Sequence, residues 1–448
     1  MLQAPILRGM SLLLAMSLFL ATAAANVIYH LQQDLSELVE VLRFKGTTHA
    51  TWAPVEVGAS NALQTLLSVA DADPEAVPQA SWYADSLGRL LAEARYLTDL
   101  SEPSTYTHGA LDNEGYMTDS VNEWHYTINR IAQNLGKPSR YRPPRTEGSQ
   151  AKDISEETKP GTEFRDHDAA PKMIVIPTGC YTSGSDPEEH DRWNVTEDRR
   201  AFEYPKREVC IRTPLSFSVT EVTVEQFDTF VKESGYDIRR GGRWWDPDHP
   251  TAMVFREDLD YLNPGFPQTD DSPAVAMTWQ EAIAYTKWLS DLTGERYRLP
   301  NEDEWEWAAR GGTQDTFFWG DDVWEVDSWA NSYEQTSQAA NQFRWSAINV
   351  TDGFAYTAPV ASFRPNGYGL YDVTANAREF MADTWVVDLG APGVPRNGSV
   401  HVGPAPFPVL RGGAWNYNRK NLRINYRSAY FCSEVASNMF GIRLVREL

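Results

Sequence analysis

The stretch Asn366-Gly-Tyr-Gly-Leu-Tyr-Asp-Val-Thr-Ala-Asn-Ala-Arg-Glu379 sets glycines, turn formers and oxygen-bearing side chains close together. Asp372 and Glu379 stand seven residues apart across a turn containing Asn376, a spacing that lets both carboxylates face one hard cation. The plainer reading is that Asp372 ends a turn and Glu379 begins a helix. Downstream come Arg411-Gly-Gly-Ala-Trp-Asn416 and Phe440-Gly-Ile-Arg-Leu-Val445.

Upstream, three helix starts carry capping boxes, in which a Thr or Asn and an acid or amide three residues later bond reciprocally to the backbone. They are Thr223 with Gln226, Thr278 with Glu281 and Asn301 with Glu304, each followed by an amphipathic run; Gly235 and Gly294 mark the ends of the first two helices. A short buried strand is expected at Met173-Ile-Val-Ile, and the chain between these elements is rich in loops and tryptophan. Residues 26–136 read differently. Val27, Leu31, Leu35, Leu38, Val39 and Leu42 recur at three- and four-residue steps, as do apolar positions in 62–69, 82–97 and 121–135. This predicts a small all-α domain of about four helices. Its His30, His49, His108 and His125 show no i, i+4 pair, so they read as solvated or core histidines. Residues 137–170, with Arg142-Pro-Pro-Arg145 and mixed charge, lack apolar periodicity and read as a flexible linker.

At 448 residues and 42% hydrophobic content the chain can bury a sizeable core. A formal charge of -22 opposes phosphate backbones, so no nucleic-acid partner is expected. Residues 1–25 have the layout of a secretory signal: Arg8, an apolar run from Met10, then Ala23-Ala24-Ala25. A periplasmic or secreted protein follows, with membrane attachment only through an uncleaved signal anchor. In an oxidising compartment Cys180 and Cys210, which flank a hairpin-like excursion, are the preferred disulfide, leaving Cys432 as a small buried residue.

Taken in order, Met173-Ile-Val-Ile-Pro-Thr-Gly, Glu221-Val-Thr-Val-Glu-Gln-Phe, Ser272-Pro-Ala-Val-Ala-Met-Thr-Trp, Tyr297-Arg-Leu-Pro-Asn-Glu-Asp-Glu-Trp-Glu-Trp, Phe318-Trp-Gly320 and the three C-terminal strings resemble the formylglycine-generating enzyme, or sulfatase-modifying factor, family over residues 171–448. The resemblance implies an α+β fold, irregular and loop-rich, of the C-type-lectin-like kind, here preceded by the all-α domain. It also implies one or two structural calcium ions. One would be held by Asn331, the Ser332 carbonyl, Asp352 and the Phe354 carbonyl, and the other by Asp372, the carbonyls of Ala375 and Ala377, and Glu379.

The chain departs from the family at its chemistry. Family oxidases hold copper(I) with two cysteines shortly after the Gly-Gly pair; here Tyr417 and Leu422 occupy those positions, with Ala414 where a serine is usual. Neither a phenol nor an isobutyl group replaces a soft thiolate, so no copper and no cysteine-to-formylglycine oxidation are expected. A second, iron-dependent branch resembles the sulfoxide synthases, but the His-x-x-x-His-x-Glu string is absent and iron is not expected. A third branch is similar to exported pyoverdine-maturation proteins. The candidate cleft comprises Trp415, Asn416, Tyr417, Asn418, Arg423, Asn425, Tyr426 and Arg427, which combine ring faces, amides and guanidinium groups suited to a peptide or protein ligand. The same residues suit plain packing and ion pairing. A binding or accessory module is the leading reading, and a maturation or oxidation enzyme of the pyoverdine or sulfoxide-synthase type the alternative.

Overall fold

The computed structural model describes residues 29–39, 52–72, 80–99, 113–135, 137, 140–245, 253–403, 405–429 and 432–448. The expected secretory signal, His49 and His108 lie outside them. Among the described residues no helix is long and apolar enough to cross a membrane. The N-terminal helices, apart from residues 113–116, fall in one compact unit and residues 141–448 in another.

In the first unit, α1 (29–39), α2 (Trp52–Ala72), α3 (Ala80–Asp99) and α4 (Asn113–Asn134) place their periodic apolar positions inward. Leu31, Leu35, Leu38, Ala59, Ala62, Leu66, Leu87, Leu90, Trp124, Ile128 and Ile131 are wholly buried. A fully buried leucine side chain is worth roughly 1.5–3 kcal/mol, so this stripe holds the helices together. His30 is exposed and His125 sits 3.2 Å from Asn129 within α4.

The second unit begins with β1 (Glu163–Phe164), β2 (Met173–Ile176), β3 (Gly179–Ser183), α5 (Pro187–Arg192), α6 (Glu197–Arg200), β4 (Arg207–Ile211), β5 (Leu215–Ser218) and α7 (Val224–Ser234). It continues through β6 (Gly242–Trp245), β7 (Met253–Arg256), α8 (Trp279–Thr293), β8 (Tyr297–Arg298), α9 (Glu302–Arg310) and α10 (Gln335–Asn341). It closes with β9 (Arg378–Thr384), β10 (Pro408–Arg411), β11 (Arg427–Ala429), β12 (Phe440–Gly441) and β13 (Val445–Glu447). One sheet runs β1-β2-β5-β13-β8 and another β11-β10-β9-β12, with two-stranded antiparallel pairs β3-β4 and β6-β7. All three capping boxes form, and Gly235, Gly294 and Gly311 end their helices in the left-handed conformation. This is the irregular α+β arrangement expected. Glu379 is the exception in detail: it lies in strand β9 rather than at a helix start.

The stretch read as a flexible linker is docked on this unit over its described part. Backbone N–H groups of Arg142 and Glu147 donate to carbonyls of Ser234 and Leu292, and Phe164 pairs with Met173 as an edge strand. Asp166 is wholly buried and accepts from Ser149, Tyr297 and Arg446. A buried carboxylate with three donors is a strong anchor, and it leaves no periodic trace in sequence.

The expected disulfide is present: Cys180 and Cys210 face each other across β3 and β4, bonded at 2.06 Å. Cys432 is buried.

Candidate functional site

The segment after β10 turns on Gly412 and Gly413, at φ 93° and 78°. A Cβ on Gly413 would lie 2.7 Å from the Asn421 carbonyl oxygen, so this tight crossing requires glycine. Ala414 and Trp415 follow as core residues, the Trp415 ring packing on Phe266, Phe343 and Tyr356.

The two positions where the oxidases carry thiols are both built into packing. Leu422 is wholly buried in an apolar cluster with Trp193, Phe317, Val323 and Ile348, and the partly buried Tyr417 lies against that cluster. The Tyr417 hydroxyl accepts from Arg378 Nη1 at 3.2 Å, and its ring meets Tyr426 edge-on at 5.9 Å. Cys432 is the single cysteine outside the disulfide.

The structure divides the other candidate cleft residues sharply. Arg423 makes paired hydrogen bonds to Glu203 and reaches Glu189; Arg427 grips Glu302 through two nitrogens. Asn425 accepts from Arg310 and donates to Glu189. These groups are buried and committed to one another, and Arg423, Tyr426 and Arg427 also line a narrow pocket with Val195, Arg199 and Lys420. Burial alone would raise the carboxyls of Glu203 and Glu302, yet Arg423 and Arg427 respectively hold each down to about 2. Asn416 is buried with both side-chain polar atoms unpartnered, and Tyr426 is buried beside Arg378. Burial opposes ionisation of Tyr426, but Arg199 and then Arg378 hold its phenol below the usual tyrosine range.

A roomier opening lies on the neighbouring surface. A cleft of about 330 Å3 is lined by Trp193, Asn194, Trp324, Asn418, Arg419 and Lys420, together with residues 346–348. Of the sequence-derived candidates only Asn418 lines it.

The expected cation positions sit in one region. Asn331 donates to the Tyr356 carbonyl and to Asn376 Oδ1, while its own Oδ1 is buried without a partner. Asp352 accepts from the backbone N–H groups of Ser332 and Phe354, and burial pushes it up to about 7. Along the second stretch Asp372, Ala375 and Asn376 all have positive φ, at 54°, 72° and 50°. Such left-handed conformations cost non-glycine residues roughly 1–2 kcal/mol each, and they persist where the surroundings fix them. Asp372 Oδ2 accepts from Ala361, Oδ1 is buried and unpartnered, and burial pushes its carboxyl up to about 6. Glu379 accepts from Arg443 and Trp305.

Sequence reading missed Glu221 here. It is wholly buried, accepts from Ala377 N and Asn376 Nδ2, and is raised well above the usual range by burial and then by Asp372. In sequence its string carries only the family resemblance, because Glu221 and Asn376 stand 155 positions apart. Among the described residues no three His, Cys, Asp or Glu side chains converge as a metal group. A cation would therefore rely on amide and backbone oxygens as well, which hard cations accept. The orphaned oxygens of Asn331 and Asp372 fit that chemistry, while Arg443 already faces the carboxylates of Glu379, Glu221 and Asp372.

Comparison with known proteins adds the following. The profile of the sulfatase-modifying factor enzyme 1-like domain matches residues 159–448. The formylglycine-generating enzyme of Thermomonospora curvata is 30% identical over 278 residues, covering 54% of this chain and 82% of that protein. The bovine formylglycine-generating enzyme is 29% identical over 259 residues, 49% of this chain, and the match spans only 60% of its length. A mouse protein named inactive C-alpha-formylglycine-generating enzyme 2 is 28% identical, covering 49% of this chain and 71% of its own. The solved structure of PvdO from Pseudomonas aeruginosa superposes with a TM-score of 0.53 at 27% identity, over 65% of this chain and all of that one.

Proposed function

The chain belongs to the sulfatase-modifying factor enzyme 1-like family, and from that premise we propose that it is an exported, calcium-stabilised member that recognises a peptide or protein and does not perform copper-dependent oxidation. The observation that carries this reading is the packing of Leu422 and Tyr417 at the thiol positions of the oxidases. Copper(I) is held by soft sulfur donors, and an isobutyl group sealed in a core offers none. One or two calcium ions would rest on Asn331, Ser332, Asp352 and Phe354, and on Asp372, Ala375, Ala377 and Glu379, with Glu221 adding charge beside the second set. A calcium ion there would relieve the buried negative charge and the left-handed backbone run. The Cys180–Cys210 disulfide accords with an oxidising compartment.

A second reading, an enzyme of the pyoverdine-maturation kind, is favoured by one feature. Tyr426, buried between Arg199 and Arg378 with its phenol held low, is placed to accept or return a proton. The likeness to PvdO points the same way.

Metal analysis of the purified protein, copper(I) titration and incubation with a sulfatase-motif peptide test the main reading together. Calcium without stoichiometric copper, and no aldehyde on the peptide, is the expected outcome. Stoichiometric copper(I) with peptide oxidation would sink it.

A further inference from the structure

The open cleft beside the 419–421 turn has a definite chemical character. Its lining carries Arg419 and Lys420 and no acid, in a chain of net charge -22. Among the described residues neither cation has a hydrogen bond or ion pair from its side chain to a carboxylate. Both lie on or beside a 3-10 turn fixed by the N–H of Asn421 donating to the Asn418 carbonyl and by Arg423 Nε donating to the Lys420 carbonyl. The backbone that presents them is therefore set, while their charged ends are uncommitted.

Two residues of the lining also carry buried polar atoms without partners. Trp193 is 8% exposed and its Nε1–H is buried without an acceptor; Asn418 Oδ1 is buried without a donor. The Trp193 ring is rigid, fixed edge-on to Phe317 at 5.2 Å within the apolar cluster. Trp324 is 53% exposed, the opposite of what a large apolar ring in a settled surface does. Glu325 adjoins Trp324 in sequence but does not line the cleft, and Asp322 is engaged in capping its own turn through the Trp324 N–H. Volume, an aromatic wall and two uncommitted cations together describe a small-ligand site.

The geometry points to a ligand unit that carries a carboxylate beside an aromatic ring: the carboxylate against Arg419 and Lys420, the ring on Trp324. This rests on the recognition reading above and names its ligand chemistry. The unit arises in two forms, the C-terminal aromatic residue of a peptide or a free aromatic acid.

Isothermal titration of the full chain with three probes separates these cases: Ala-Ala-Ala-Phe with a free C-terminus, the same peptide amidated, and 3-phenylpropionate. Charge-assisted hydrogen bonds contribute about 1.5–3 kcal/mol, so the amide should bind about 10- to 100-fold more weakly than the acid. The Arg419→Gln/Lys420→Gln variant, altered only at the surface, should lose a similar factor. Tighter binding of the peptide acid than of 3-phenylpropionate identifies a chain terminus as the ligand; equal binding identifies a free acid. Equal affinity for acid and amide, or no binding of either acid at about 10 mM, where a millimolar Kd is visible, overturns the inference. Neither result bears on the copper and calcium test, so the two readings fail separately.

Discussion

Replacing Glu302 by Gln should cost the second unit between about 2 and 4 kcal/mol at pH 7. Glu302 opens α9 and takes Arg427 through Nε at 2.8 Å and Nη2 at 2.6 Å, and Arg411 Nη1 at 2.9 Å. Each guanidinium lies over a ring, Arg427 on Trp385 at 4.4 Å and Arg411 on Trp305 at 5.0 Å. The glutamate carboxyl is held down to about 2 from 4.5 by Arg427 and then Arg411, against the opposing effect of burial, which corresponds to about 3 kcal/mol. Because the folded value is depressed, that stabilisation is fully present above pH 4.5 and declines as pH falls toward 2. At pH 3 less than half of it remains. Glutamine adds a penalty by setting an amide N–H against the Arg427 nitrogen. It also grants some relief, since Asp383, pushed up to about 7 by burial and then by Glu302, loses a repulsive neighbour. Urea unfolding of both proteins by tryptophan emission, fitted for two units at pH 7 and pH 3, measures the difference. A loss below about 0.5 kcal/mol at pH 7, or an equal loss at both pH values, would show that charge in this network does not hold the fold.

Two further outcomes are expected. Cys210→Ser opens a loop of 30 residues, and chain-entropy arithmetic gives a loss of about 3.6 kcal/mol; the same drop in thermal midpoint should follow treatment of the unaltered protein with reductant, and a variant as stable as the parent would contradict it. Gly367→Ala would set a Cβ 2.2 Å from the Gly311 carbonyl oxygen, so expression should fall and the unfolding midpoint should drop; proteolysis rates indistinguishable from the parent would show that the α9 terminus can move aside.

The sequence reveals those parts of this fold whose causes are local. Thr223 and Gln226 specify a helix start within four residues, and the three capping boxes form as read. The Cys180–Cys210 pair was legible because two cysteines flanking a hairpin have few alternatives. The docked stretch around Asp166 was not legible, because its partners Tyr297 and Arg446 lie 131 and 280 residues away. The same holds for the candidate cleft: Arg423 and Arg427 announce guanidinium chemistry, but nothing local says that Glu203 and Glu302, 220 and 125 residues distant, consume it. Trp193 and Trp324, which line the open cleft, gave no signal, since an aromatic side chain reads as core until its exposure is known.

The order of the larger sheet has a consequence for biosynthesis. β13 inserts between β5 and β8, and Ser216 donates to the carbonyl of Arg446, 230 residues further on. On the ribosome, β5 emerges with β2 and then waits, one flank bare, while most of the remaining unit is translated. A bare strand flank invites pairing with another nascent chain, and contacts of such long reach form slowly. The interval is one in which a chaperone holding the unfinished polypeptide would decide between yield and inclusion bodies.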